Sequence, residues 1–515
     1  MLSISAHARK LAPIEIYKRC NIHLSGQPIS ITGETEKKIK LGQLDPIKEC
    51  EKILKMGFLK DDGLLATDNQ KSRAVLKTLF SMHRNWFDAN TLEQIQGYTE
   101  EVGRGTLDHY DPNEPALTVT LALLDPQTKY SDIVTAPYGI KALRQENTAI
   151  ASKYGYSPSM SSPMRRSDLR IGPNSPISFR NLADGFAGLA SERSVEELIV
   201  APTIQVGDLI GIQPRTEHIF STNVYLIPLD GNGVINAGHL QPDLNYKNDM
   251  YKSYGGGLLG TPVFFMMNYG QPYGLSANGS TKLPRRWVKN AMESLLCSNF
   301  PSLRETDIRN FFVGNASAPF RNGKSCLQCH ATMDQAATTA RNLIVAATDY
   351  ANLVVPDPNG GPNIDFLNKY PLILVDFKAT RAPSSVWSPE PVENFHRQQP
   401  TGKIFFRSMN GQLIDRSVNN ISELGQSFAE TDDFYNCAAK RYFKYFTGID
   451  VAMYDKTNPL NAEINRNLTT SDKEFRNFVE SLGAKLKQSQ SLVDVITMIM
   501  SSKYYQSSDP KSEGP

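Results

Sequence analysis

The sequence predicts a mainly α protein of several packed units, with a few short strands or extended loops. Apolar residues recur at helical spacing in runs near both ends of the chain. A length of 515 residues exceeds what one hydrophobic core sustains, so roughly two to four packed units are expected. An apolar fraction of 40% beside a charged fraction of 21% is ordinary for a globular chain, which sets disorder aside.

The elements divide the chain into four stretches. Residues 1–60 form an N-terminal helical segment: Pro13 opens IEIYKRCNIHL, and KIKLGQLDPIKECEKILKMGFL continues at helical spacing. Each run carries one cysteine, Cys20 or Cys50. Residues 61–255 form a mostly helical middle domain with long loops. There LFSMHRNWFD and NTLEQIQGYTEEV keep the helical signal before Pro112, Pro115 and the apolar run ALTVTLALL. GYSPSMSSPMRRSDLRIGPNSP, dense in Ser, Pro and Gly, is a loop or linker. SDIVTAPYGI and EELIVAPTIQ echo each other at an offset of 65 residues, too little to claim a repeat architecture. Over residues 204–268, β-branched runs between DGNG and YGGG turns predict short strands or extended segments.

Residues 256–400 make the third stretch. PRRWVKNAMESLLC has Pro284 at a helix start and Trp287, Val288, Ala291, Leu295 and Leu296 near a 3.6 period, a helix that ends by delivering Cys297. Residues 401–515 form a C-terminal helical domain. ELGQSFAETDDFYNCAAKRYFKYFTG reads as two helices, with Thr431 as N-cap and Gly448 as stop, and SLVDVITMIMSSKYY as a closing amphipathic helix.

Composition excludes several function classes. Lys and Arg total 55 against 53 Asp and Glu, and they are scattered, so no nucleic-acid footprint is visible. The most apolar stretch, residues 198–212, is broken by Pro202 and Asp208, so no membrane-spanning helix is expected. Gly-rich phosphate loops, metalloprotease His pairs, nucleophile elbows and kinase signatures do not occur, which leaves hydrolase and nucleotide-dependent readings without a motif.

One motif carries chemistry: Cys326-Leu327-Gln328-Cys329-His330. Its two thiols lie one helical turn apart, the spacing that reaches two vinyl groups on one haem edge, and the next residue aims an imidazole at the iron. The expected cofactor is therefore a single covalent haem c, with His330 as proximal ligand, and residues 256–400 become a c-type-cytochrome-like haem segment. The competing readings are a thioredoxin-like redox pair or half of a zinc site, but no second Cys-x-x-Cys exists and no strand-helix unit surrounds the motif. Met333, three residues past His330 on the same helix, lies beside the proximal ligand and does not reach the opposite haem face. Distal candidates are Met409 and His396 after the motif, and His239, Met266 and Met267 before it, with an open iron as the other outcome. Arg321, Lys324 and Arg341 flank the motif as partners for haem propionates.

Haem attachment leaves four cysteines: Cys20, Cys50, Cys297 and Cys437. Four allow three pairings. Locality favours Cys20 with Cys50 and, by elimination, Cys297 with Cys437, both needing an oxidising compartment. Four buried free thiols acting as small hydrophobes is the alternative. The start, MLSISAHARKLAP, lacks the apolar core of a secretory signal, whereas c-type maturation follows export; a trimmed or misplaced start reconciles the two.

The chain resembles a family of large, exported, cytochrome-c-like bacterial proteins of the planctomycete type, built from adjoining domains of unknown function. The resemblance covers roughly residues 194–508. It is carried, in order, by SVEELIVAPTIQVGDLIGI, GGGLLGTPVFFM with RRWVKNAMESLLC, SCLQCHATMD, and FYNCAAKRYFKYFTGID with SLVDVITMIMSSKYY. In that family a Met and an Asp after the haem histidine recur, matching Met333 and Asp334, as do cysteines matching Cys297 and Cys437, which implies a structural role for that pair. This chain lacks a second Cys-x-x-Cys-His near its N-terminus, so a multihaem wire is not expected. The resemblance implies export to the periplasm or cell surface, sometimes as a lipoprotein.

Three functions compete on this reading. The leading one is a monohaem protein passing single electrons to a redox partner protein in the periplasm, at the outer-membrane surface or outside the cell, soluble or held there peripherally or by a lipid anchor. The second is a haem-dependent oxidoreductase with an open, peroxidase- or oxidase-like iron, for which residues 61–255 would supply the substrate pocket. The third is a disulfide-stabilised surface interaction protein.

Overall fold

Pro13 has no N–H to lose at a helix start, and Glu15 reaches back to the Ala12 N–H at 2.8 Å, so α1 (Pro13–Ser25) begins where the sequence places it. It ends on Gly26, whose left-handed φ of 63° closes the last turn onto Ile22 O. The computed structural model describes residues 9–30, 32–59, 65–67, 69–87, 114–136, 225–226, 255–261, 264–265, 268, 284–314, 322–341, 343–347, 353–354, 372–376, 399–509 and 511.

The chain continues through α2 (Glu34–Lys40), α3 (Pro46–Met56), α4 (Gln70–Arg84), α5 (Glu114–Leu124) and the single turn α6 (Asp132–Thr135). Then come β1 (Tyr225–Leu226), α7 (Arg285–Leu295), α8 (Lys324–Ala337), β2 (Leu343–Ala347), β3 (Leu353–Val354), β4 (Leu372–Asp376), β5 (Gly402–Arg407) and β6 (Leu413–Val418). The C-terminal part adds α9 (Ile421–Glu430), α10 (Asp432–Thr447), α11 (Ala462–Asn467), α12 (Thr470–Ser489), α13 (Leu492–Ser501) and α14 (Lys503–Gln506). The protein is mainly helical, with short strands, as the sequence predicts. Among the described residues the strands form three two-stranded antiparallel pairs, β1 with β3, β2 with β4 and β5 with β6.

The first and last described helices share one core. Cys20 of α1 and Cys50 of α3 are joined by a disulfide with Cα atoms 6.0 Å apart, the pairing that locality favours. The α1 face of Ile16, Tyr17, Cys20 and Leu24 packs inward beside Val75, Leu79 and Phe80 of α4. The C-terminus closes over it: Leu11 N donates to Gln506 O at 2.7 Å, and Arg19 Nη1 donates to Tyr505 O at 2.6 Å and Ser507 O at 2.8 Å. α10 runs through the middle, burying Phe434, Tyr435, Cys437, Tyr442, Phe443 and Phe446. Thr431 Oγ1 caps its start by accepting from Phe434 N, and Gly448, with φ 74°, ends it, as read from the sequence.

One buried polar chain inside this core is fully paired. Thr120 Oγ1 donates to Ala116 O at 2.8 Å, so it accepts from His83 Nδ1 at 2.7 Å, and His83 Nε2 then accepts from the Tyr442 hydroxyl at 2.6 Å. Burial pushes this imidazole down to about 3, so it stays neutral in the folded protein.

Sequence and structure part in three places. The closing helix SLVDVITMIMSSKYY is two helices: Ser502 gives its hydroxyl to Ile499 O at 2.7 Å, ending α13, and accepts from Tyr505 N at 3.3 Å to start α14. The β5–β6 hairpin and α12, the longest described helix, were not anticipated. Expectations for NTLEQIQGYTEEV, the Ser/Pro-rich linker, the second half of the internal echo and most of residues 204–268 lie outside the described residues.

Candidate functional site

Helix α8 carries the Cys-x-x-Cys-His motif, and two surfaces hold its inner face. Leu327 and Ala331, four residues apart, join Leu303, Ile308 and Phe405 in a small apolar cluster separate from the main core. Farther along, Ala336 and Ala337 reach the main core. Strand β5 lies between the two clusters. Because side chains alternate across a strand, Ile404 and Phe406 face the main core while Phe405 faces α8. Polar contacts fix the same face: Gln328 Nε2 donates to Leu303 O at 3.0 Å, Thr332 Oγ1 donates to Phe405 O at 2.6 Å, and Ser302 Oγ lies 2.8 Å from Thr332 Oγ1.

The other face of α8 presents Cys326, Cys329, His330, Met333 and Asp334, a stripe at helical spacing with every member exposed or half-buried. Cys326 and Cys329 are both free thiols. Burial, with the neighbouring Cys326 as a smaller cause, pushes the Cys329 thiol up. The remaining four cysteines are paired, the second bridge joining Cys297 to Cys437 with Cα atoms 5.2 Å apart. That bridge ties the end of α7 to α10, the link between motif segment and C-terminal helices that the sequence suggests.

His330 does not stand alone. Its Nδ1 lies 3.3 Å from Asp334 Oδ1, one turn along the helix. Arg285, first residue of α7, grips the same carboxylate, with Nε on Oδ1 and Nη2 on Oδ2 at 3.1 Å. Burial alone would raise the Asp334 pKa, but hydrogen bonds and charge from His330 and Arg285 outweigh it and hold the carboxyl below its ordinary value. An ionised carboxylate only accepts hydrogen bonds, so the proton of this contact belongs to His330 Nδ1.

The flanking residues are placed as follows. Lys324 pairs with Glu305 at the surface, and Arg341 is half-buried, its pKa lowered by burial. Met409, a distal candidate, is buried in the main core, where its N–H donates to Asp433 at 3.0 Å and its carbonyl accepts from Arg476 at 3.1 Å. Arg321, His239, Met266, Met267 and His396 lie outside the described residues. Arg285 escaped the sequence reading as a site residue because 49 positions separate it from Asp334 and no local pattern marks the pair. No three His, Cys, Asp or Glu side chains gather as a metal cage among the described residues. No described helix is long and apolar enough to cross a membrane.

No family model matches the chain, and neither a curated protein nor a solved structure matches it.

Proposed function

We propose that this chain is a c-type monohaem protein that passes single electrons to a partner protein in the periplasm or at the cell surface. One observation carries the reading: four cysteines are spent in disulfides, and the two free thiols lie with His330 on the outward face of a helix whose inner face is packed. This donor set fits haem c, since Cys326 and Cys329 would form the thioethers and His330 Nε2 would bind iron while Nδ1 is engaged by Asp334. When bound, the haem supplies one-electron cycling between ferric and ferrous iron. The protein's own part would be to hold the two thioether cysteines and an oriented imidazole on one helix face. Two disulfides agree with an oxidising, extracytoplasmic compartment. The resemblance to planctomycete-type cytochrome-c-like proteins supports the same location.

The test is the pyridine haemochrome spectrum and intact mass of protein made in a host with c-type maturation. A c-type haemochrome with one added haem mass, lost in Cys326→Ser and Cys329→Ser, is expected. Colourless protein of unmodified mass refutes the reading and leaves a disulfide-stabilised interaction protein. The oxidised spin state then separates a six-coordinate electron carrier from an open-site oxidoreductase.

A further inference from the structure

We propose that Arg285 and Asp334 act as a positioning pair that fixes the orientation and tautomer of His330 and tunes the redox potential of the iron it binds. This rests on the haem reading above.

The placement of the pair supports it. Asp334 follows His330 by four residues, so the carboxylate sits on the same face of α8 and accepts from Nδ1. A partner on Nδ1 defines which nitrogen remains for the metal and stops the ring from rotating. Arg285 comes from a different helix and reaches both oxygens of this carboxylate, so Asp334 cannot swing away without breaking a two-point grip. α7 is itself anchored at two further points: the Trp287 indole donates to Leu259 O at 3.1 Å, and the helix runs into the Cys297–Cys437 bridge. A His–Asp pair at this spacing alone is an ordinary i, i+4 helix-surface contact. The two-point grip from a separately anchored helix is what an ordinary contact lacks.

The chemistry has a sign. A carboxylate accepting from Nδ1–H makes the imidazole a stronger donor and favours ferric iron, which lowers the potential. Arg285 draws on the same carboxylate and moderates that effect. Asp334→Asn should therefore raise the midpoint potential, Arg285→Gln should lower it, and Asp334→Glu should recover part of the parental value.

The experiment compares parent and the three variants as haem-loaded full chains, by potentiometric titration and by 15N NMR of the His330 ring in the diamagnetic ferrous form, with carbon monoxide added where the sixth position is open. Opposite potential shifts in Asp334→Asn and Arg285→Gln, with slow solvent exchange of Nδ1–H lost in Asp334→Asn and regained in Asp334→Glu, are expected. Parental potential and unchanged exchange in haem-loaded Asp334→Asn would overturn the positioning role while leaving the haem reading intact. A parent that takes up no haem overturns both.

Discussion

His83 shows how a single buried side chain sets acid sensitivity. The folded protein holds it neutral, down to about 3, whereas an unfolded histidine titrates near ~6.5. Between those values the unfolded chain binds the extra proton, so the stability due to His83 is complete above about pH 6.5 and is lost as pH falls toward 3. His23, lowered to about 4 mainly by burial, acts in the same direction. Asp433 acts in the opposite one. Burial raises it to about 7 although Met409 N–H donates to it, so its contribution is present at low pH and is lost as pH rises through 7. His83→Gln removes this acid-sensitive contribution. Between pH 7 and pH 5 the variant should lose about 2 kcal/mol less stability than the parent, read by denaturant unfolding at both values. Equal losses would show that the acid limb arises elsewhere.

Among the elements, α9 and α10 show what local pattern conveys and what it omits. Thr431 and Gly448 are legible because capping needs only a side-chain oxygen at one end and a left-handed residue at the other. Gly425, within α9, carries no such local meaning. A Cβ there would lie 1.9 Å from Val134 O, because α9 and α6 approach backbone to backbone. Gly425→Ala is expected to destabilise by about 1–3 kcal/mol, since the obstructing atom belongs to a main chain that cannot move aside alone. Thr431→Ala should cost about 1 kcal/mol through the lost cap. Denaturant titration of both checks the order; a Gly425→Ala protein as stable as the parent would show that α6 yields. The β5–β6 hairpin escaped the sequence because Ile404, Phe405 and Phe406 are all buried, two on one side and one on the other, so no apolar/polar alternation marks the strand.

At the scale of the whole molecule, two disulfides hold together regions that are distant in sequence. Cys20–Cys50 closes a separation of 30 residues and Cys297–Cys437 one of 140, for which chain entropy gives about 3–4 and about 5 kcal/mol. Thermal unfolding of Cys20→Ser/Cys50→Ser and Cys297→Ser/Cys437→Ser proteins should show a loss in both and the larger loss in the second. The second pair should also loosen the anchor of α7, and with it the Arg285 grip on Asp334. Indistinguishable Tm values for the parent and the Cys297→Ser/Cys437→Ser protein would mean that the core alone holds α7 in place.

The sequence by itself determined the helices whose periodicity and caps are local and the motif at Cys326, Cys329 and His330, and through locality it favoured the cysteine pairing that the structure shows. The helices and the motif depend on residues a few positions apart, and the pairing on a small set of alternatives. Only the tertiary structure decided that α8 is packed on the Leu327–Ala331 side and presents the motif on the other, and that Arg285 grips the carboxylate beside His330. Both depend on where separate elements meet, and side chains 49 positions apart come together through the packing of α7 and α8 rather than through any pattern along the chain.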